Sequence, residues 1–352
     1  MDFTFSDEQR MMAGALRTLL DDICAPAALR RVFEGQDGAA AEGRWQRLGE
    51  LGLFGVLAPE SRGGMGLGDA DFVLLAEEAG RAALPEPLAE QAGVAVPALS
   101  EAVSAGAPLA EILGRAAEGS ARIAVAHPLC PYANVPPAPT YWLVCQGDTV
   151  SLYEAAAVAA VPEASIDAGR RLVRPDLPHA GGERLAAGEA GRALSARIAN
   201  RAALYTAAQC LGLAERLIQL AVAYAVARSQ FGKPIGAYQA IKHHLASAQV
   251  RLEFARPVVH AAVARLTELG AQAAAAISHA KLAAGDAADL AARTAMQVHG
   301  AMGYSWEVDL HFYMKRAWAL AGTWGDRNFH ARRVQSLVCG GALALGPEET
   351  FT

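Results

Sequence analysis

"YAVARSQFGKPIGAYQAIKHHLA", Tyr224 to Ala246, decides the fold. Ahead of it and into it, Leu204, Ala208, Leu211, Ala214, Ile218, Val222 and Ala225 step by three and four, the apolar stripe of a helix of about 30 residues. Phe231 and Gly232 end that helix and expose backbone amides. A second helix is predicted from about 238 to 267, kinked at Pro257. A third is predicted over 271–298, stopped by Gly300, and a fourth over 305–338. Four long antiparallel helices make a bundle. At the first joint, Arg228 offers a fixed, doubly donating cation suited to a pyrophosphate; a salt bridge at a helix C-terminus is the plainer use of the same residue.

Working outward, residues 1–118 read as helical. "SDEQ", Ser6 to Gln9, is a capping-box pattern, and Met12, Leu16, Leu19, Leu20 and Ile23 follow at helical spacing. "GGMGLG", Gly63 to Gly68, lacks both the GxGxxG spacing and the βαβ setting of a dinucleotide loop, so it reads as a turn. Residues 119–190 change character: "ARIAVAHP", "TYWLVCQGDTVSLYEA" and "RRLVRPDL" are short strand-like runs, with Gly147-Asp148 as a hairpin turn. The expected fold class is therefore mainly α with a small β domain: an N-terminal helical domain over 1–118, the β domain over 119–190 and the C-terminal helical bundle over 191–352.

Composition agrees. Hydrophobic residues make up 53% of the chain, but aromatics only 7% and charged residues 19%; alanine, the best helix former, supplies much of the difference. A net charge of −5 gives no reason to expect nucleic acid. No window holds the ~18 consecutive apolar residues of a membrane helix, and the acidic, polar opening "MDFTFSDEQRMM" does not read as a secretory signal. Cys24, Cys130, Cys145, Cys210 and Cys339 are scattered, with no CxxC, which reads as reduced thiols in a cytoplasmic protein. The histidines lack metal-ligand spacing, so no metal is expected.

A second segment, "QVHGAMGYSWEVDLHFYMKRA", Gln297 to Ala317, adds an amide suited to an adenine or ribose edge (Gln297) and two glycines, Gly300 and Gly303, that let backbone approach a ligand. Together with Tyr224–Ala246 and the N-terminal "WQRLGELGLFGVLAPESRGGMGLG", this segment resembles the acyl-CoA dehydrogenase flavoprotein family, whose bundle motifs run YxxxRxxFGxxIxxxQ and QxxGGxGY. Ala301 stands in place of the second glycine. The resemblance covers most of the chain, in the same three-region order. It implies FAD as cofactor, contacted by Arg228, Phe231, Gln239, Gln297, Gly300 and Ala301; in the family these groups reach the FAD held mainly by a neighbouring subunit. It also implies α,β-desaturation of an acyl-CoA thioester, in which a glutamate takes the α-proton while hydride goes to flavin. An electron-transferring flavoprotein as acceptor, a dimer or tetramer, and Arg201 near the acyl-CoA are further implications.

The chain also departs from the family. The catalytic glutamate of the family stands at one of two places. In a Tyr-Glu-Gly-Thr stretch, counting from Arg316, it falls on Gly325, next to Asp326. At the start of the first bundle helix, directly before an arginine, it falls on Asn200, before Arg201. Neither is a glutamate. The Thr-Glu-Pro…Gly-Ser-Asp and Trp-Ile-Thr-Asn segments that line the flavin ring and acyl site are missing, and the β region is shorter by ~20–30 residues at ordinary strand lengths. Three readings stay open. The chain is a subunit of a heteromeric acyl-CoA dehydrogenase that lacks its own base and completes the FAD site of a full-length partner; or a self-sufficient homo-oligomeric dehydrogenase with a displaced base such as Asp326; or a flavin-free scaffold or binding protein. Steroid side-chain or dicarboxylic acyl-CoAs are the substrates the resemblance implies. An ion pair with Arg327 is the plainer use of Asp326. Glu307 and Asp309 read as acids in the first turn of a helix, and Trp306 and Trp324 as core packing.

Overall fold

The computed structural model describes residues 4–102, 107–178, 181–266 and 270–343. The N-terminal region is built from α1 (Asp7–Ile23), α2 (Pro26–Phe33), α3 (Gly38–Glu50), α4 (Asp69–Arg81), α5 (Val96–Ala102) and α6 (Ala107–Glu118). The capping box forms: the Gln9 N–H donates to Ser6 Oγ, and the Ser6 N–H to Gln9 Oε1. Loop 63–68 is a structural turn, because its amides are spoken for. Met65, Gly66 and Leu67 donate to the carbonyls of Gly55, Ala58 and Val56, and a Cβ on Gly64 would lie 2.1 Å from the Ala58 oxygen.

The middle region holds two small sheets. β1 (Ile123–Ala126), β3 (Tyr141–Gln146), β4 (Thr149–Glu154) and β7 (Glu183–Ala186) run in the order β1-β3-β4-β7, with β1 parallel to β3 and the rest antiparallel. β2 (Ala133–Asn134), β6 (Leu172–Asp176) and β5 (Ala159–Pro162) form the other, antiparallel throughout. Gly147-Asp148 makes the β3–β4 turn, as the sequence suggests. Alternation sends Leu143, Cys145, Val150 and Leu152 into the main core and Trp142, Val144 and Tyr153 into a small second one.

The C-terminal helices are α7 (Gly188–Ala227), α8 (Gln239–Ala264), α9 (Ala271–His299), α10 (Leu310–Gly322) and α11 (Arg327–Cys339), with a two-residue-strand hairpin, β8 (Ser229–Gln230) and β9 (Lys233–Pro234), between α7 and α8. Two expectations need correction. α7 spans 40 residues, not about 30, because it begins earlier, where its first turns pack on the β3–β4 turn and the core: a Cβ on Gly191 would lie 2.0 Å from the Asp148 oxygen, and Leu194 and Ile198 are buried. α4 crosses α7 backbone to backbone: a Cβ on Gly212 would sit 1.9 Å from the Glu77 oxygen, and one on Gly80 2.1 Å from that of Gln209. By length and composition α7 could also cross a membrane, although no unbroken apolar run marks it; here its middle is core. The fourth bundle helix, expected unbroken over 305–338, is two helices. Trp324 and Gly325 take φ values of 57° and 95°, which no helix accommodates, and Asp326 caps α11 by accepting the Phe329 N–H at 2.7 Å. The buried Lys281 ammonium holds the other side of the break, donating to the Leu320 and Ala321 carbonyls (2.9 and 3.0 Å) at the negative end of α10.

Candidate functional site

Two places answer to the expectations, one on the surface and one inside. On the surface, the end of α7 meets the end of α9: Tyr224 stacks on His299 with ring centroids 4.2 Å apart. That contact puts Arg228 and the Gln297–Gly300 turn at one end of the bundle. Arg228, Gln239, Gln297, Gly300 and Ala301 are all exposed, and the side chains of Arg228, Gln239 and Gln297 have no hydrogen-bond partner among the described residues. Phe231 is 91% exposed. It also has φ 53°, followed by Gly232 at 80°, so the β8–β9 hairpin is a two-residue turn with both φ positive, a setting that favours Asn-Gly. A phenylalanine there costs about 1–3 kcal/mol of backbone strain, and its ring buries little in return within this chain. Gly300, at φ 59° and ψ −135°, occupies backbone space that only glycine tolerates, and no atom lies within 4 Å of where its Cβ would be. The result is a cationic and aromatic surface with open backbone, facing outward.

Inside, the α10–α11 break points one large side chain into the protein. Trp324 is 2% exposed; its ring lies 5.6 Å from that of His127, and its indole is turned toward Glu90. The core expectation for Trp324 thus holds. For Trp306 it does not: the residue is 61% exposed, because the helix that would have packed it starts only at Leu310. The same late start moves Glu307 and Asp309 out of the helix, and Asp309 instead pairs with Arg30. Gly325 leaves no room for a side chain, since a Cβ would sit 2.6 Å from both His330 Nε2 and Phe329 Cδ1. Asp326 is exposed and engaged as a helix cap, while Arg327 pairs with Asp286 rather than with it. Asn200 accepts a hydrogen bond from Arg333 at 2.9 Å, and Arg201 is ion-paired internally with Asp69, which also accepts from the Tyr205 hydroxyl.

Sequence reasoning passed over Glu90. It sits in a π-helical stretch, Ala89–Ala95, of a kind that recurs at functional sites. Burial raises its carboxyl above the ordinary range, against the opposing pull of its own backbone amide and of Arg170 and Arg316. The available signal was an acid inside the apolar run "LPEPLAEQAGVAV"; the π-turn itself leaves no such mark.

Three histidines are held neutral. Burial pushes His127, His311 and His330 down to about 4. His127 Nδ1 accepts from the Leu129 N–H (3.0 Å), so its Nε2–H faces Ser195 Oγ (3.1 Å). His330 Nε2 faces the Trp324 carbonyl (3.0 Å), so it carries the proton there and leaves Nδ1 to Ser278 (3.1 Å). The unfolded chain takes up these protons near pH 6.5 and the folded one only near 4. Stability is therefore lost as pH falls across that window, by up to about 1.4 kcal/mol per pH unit for each group. Glu90, more easily protonated when folded, acts in the opposite direction, one group against these three and His299, which burial also lowers. Thermal melts from pH 7 to pH 5 are expected to show a falling Tm, with a shallower slope in His330→Gln; a flat profile would contradict the assignment.

Comparison with known proteins follows the same two-part layout. The model of "Acyl-CoA dehydrogenase, N-terminal domain" matches residues 6–105, and that of "Acyl-CoA dehydrogenase, C-terminal domain" matches residues 189–337. Acyl-CoA dehydrogenase IpdE2 of Mycobacterium tuberculosis is 33% identical over 349 residues, covering 94% of this chain and 98% of that protein. Among solved structures, the ChsE4-ChsE5 complex from Mycobacterium tuberculosis contains a chain that superposes with a TM-score of 0.82 at 24% identity, covering 96% of this chain and 99% of that one. An acyl-CoA dehydrogenase from Bacillus anthracis complexed with FAD superposes with a TM-score of 0.79 at 18% identity, over 96% of this chain and 68% of that one.

Proposed function

The chain belongs to the acyl-CoA dehydrogenase family, and from that premise we propose that it is the subunit of a heteromeric acyl-CoA dehydrogenase that completes a partner's FAD site without supplying a base. The observation that carries this reading is the α10–α11 break. The break itself supplies no inward carboxylate: Gly325 has no space for one, Asp326 caps a helix, and Trp324 fills the interior. The positive φ of Gly325 also favours laying the family's Tyr-Glu-Gly-Thr on Thr323–Asp326 with glycine on glycine, which would put Trp324 itself in the glutamate's place. The other base position, Asn200, is an amide tied to Arg333.

The surface residues fit a flavin dinucleotide brought by another chain. Arg228 would hold the pyrophosphate, Gln297 the adenine or ribose edge, and Gly300 and Ala301 would admit the ligand close to backbone. Phe231 and Gln239 would flank it from the hairpin and the first turn of α8. When bound, FAD accepts the hydride from the acyl-CoA. The partner would then carry the carboxylate that takes the α-proton, with the acyl-CoA lying in the partner's pocket. An electron-transferring flavoprotein as acceptor and a cytoplasmic setting complete the reading. Steroid side-chain or dicarboxylic acyl-CoAs are the substrates the resemblance favours. The ChsE4-ChsE5 complex, by its name an assembly of two different chains, supports this pairing.

Glu90 favours a second reading, in which the chain has its own base beneath Trp324. Acyl-CoA-dependent dye reduction by the assembled enzyme separates the two. Under the first reading, Glu90→Gln and Asp326→Asn both leave the rate unchanged. A loss of roughly a hundredfold or more with either, the usual worth of a general base, would put the base in this chain.

A further inference from the structure

A cavity of about 270 Å³ lies between α10 and the turn that follows α9, adjoining the Gln297–Ala301 turn. Met296, Tyr304, Trp306 and Trp318 form its walls, with His311 and Lys315 as its polar groups. His311 is 9% exposed; its ring nitrogens are sealed beneath the neighbouring rings and have no hydrogen-bond partner among the described residues. The contrast with the other buried histidines is direct, since His127 and His330 have partners at both nitrogens. Burial, with Lys315 and Arg30 nearby, keeps this imidazole neutral at pH 7.

The charge at the cavity is one-sided. Asp309 is taken up by Arg30, whose guanidinium also donates to the Trp306 carbonyl at 2.8 Å. Lys315 makes no ion pair among the described residues. Its ammonium lies 4.1 Å from the Trp306 ring centroid, a cation–π contact that fixes the charge at the cavity. The Trp318 indole N–H is already engaged by Asp289 at 3.1 Å, leaving its face to the cavity. The walls offer flat aromatic surface, and the rim carries the Lys315 cation, which has no ion-paired acid among the described residues. The volume, just below that of ordinary drug-sized sites, suits one or two fused rings.

We propose that this cavity is a binding site for a small planar aromatic anion, a ring of one or two cycles bearing a carboxylate or a phosphate. The acidic group pairs with Lys315, and the ring packs between Trp306 and Trp318. The site shares no residue with the FAD contacts assigned above.

Titration calorimetry on the full chain, and on its complex with a partner, tests this with 2-naphthoate and 2-naphthyl phosphate as probes. Cyclohexanecarboxylate and 2-naphthylmethanol serve as the non-planar and uncharged controls. Saturable binding of at least one naphthyl anion is expected, with the controls weaker by about tenfold or more. Lys315→Met and Trp306→Ala, both at exposed or partly exposed positions that leave the core intact, are expected to weaken it by a similar factor. The better of the two anions identifies the acidic group. Absence of saturable binding, equal binding of the controls, or unchanged affinity in Lys315→Met and Trp306→Ala would overturn the assignment.

Discussion

Asp167→Ala is expected to cost about 3–5 kcal/mol of folding stability, the penalty for leaving a buried charge unpaired. Asp167 is fully buried and ion-paired with Arg316, itself 3% exposed. The same carboxylate accepts the Gly169 N–H at 3.1 Å and lies 3.4 Å from Arg170. Arg316 goes on to donate to the Leu84 carbonyl at 2.6 Å, and Arg170 to Thr323 Oγ1 at 2.9 Å. One carboxylate therefore joins the loop between β5 and β6 to the N-terminal region, to α10 and to the edge of the α10–α11 break. Its removal strands two buried guanidiniums, and one Arg316 nitrogen already lacks a partner. The double variant Asp167→Leu, Arg316→Met removes the central pair, leaves only Arg170 without its carboxylate, and is expected to recover part of the loss, because an apolar pair of similar volume needs no desolvation. Urea unfolding with the slope held in view checks this. A cost below about 1 kcal/mol, the level of a surface pair, would mean the network is hydrated and does not hold the regions together.

The second large effect concerns cofactor affinity. Arg228→Lys is expected to weaken FAD binding by the assembled enzyme about tenfold to a hundredfold, since lysine keeps the charge and loses the planar, doubly donating geometry. The substitution should leave thermal stability of the isolated chain where it was, because the guanidinium is exposed and has no hydrogen-bond partner among the described residues. That split, affinity without stability, separates a ligand contact from a helix-end salt bridge. Undiminished FAD affinity would remove Arg228 from the cofactor site.

Much of this organisation is legible in the chain itself. The three- and four-residue steps around Leu211 mark α7, the Ser6–Gln9 pattern marks the start of α1, and Gly300 marks the end of α9, because each is a local rule expressed by adjacent residues. The motif residues Arg228, Phe231 and Gln297 lie near helix ends for the same reason. What escaped depends on partners far away in sequence. The α10–α11 break rests on Lys281, some 40 residues upstream of the carbonyls it caps. The exposure of Trp306 follows from where α10 begins, and the extra length of α7 from the packing of Gly191 on the β3–β4 turn. Glu90 stands out only once Trp324 is seen beside it. Gly325, conspicuous in the sequence as a missing glutamate, proves to be a glycine that the backbone and His330 require.

The most direct measurement is the flavin content of the purified protein, read from its visible absorption. Expressed alone, the chain is predicted to come without stoichiometric flavin; co-expressed with a longer member of its family encoded beside it, it is predicted to co-purify in a yellow complex that reduces dye with acyl-CoA. Stoichiometric flavin and acyl-CoA-dependent activity in the chain alone would contradict the account.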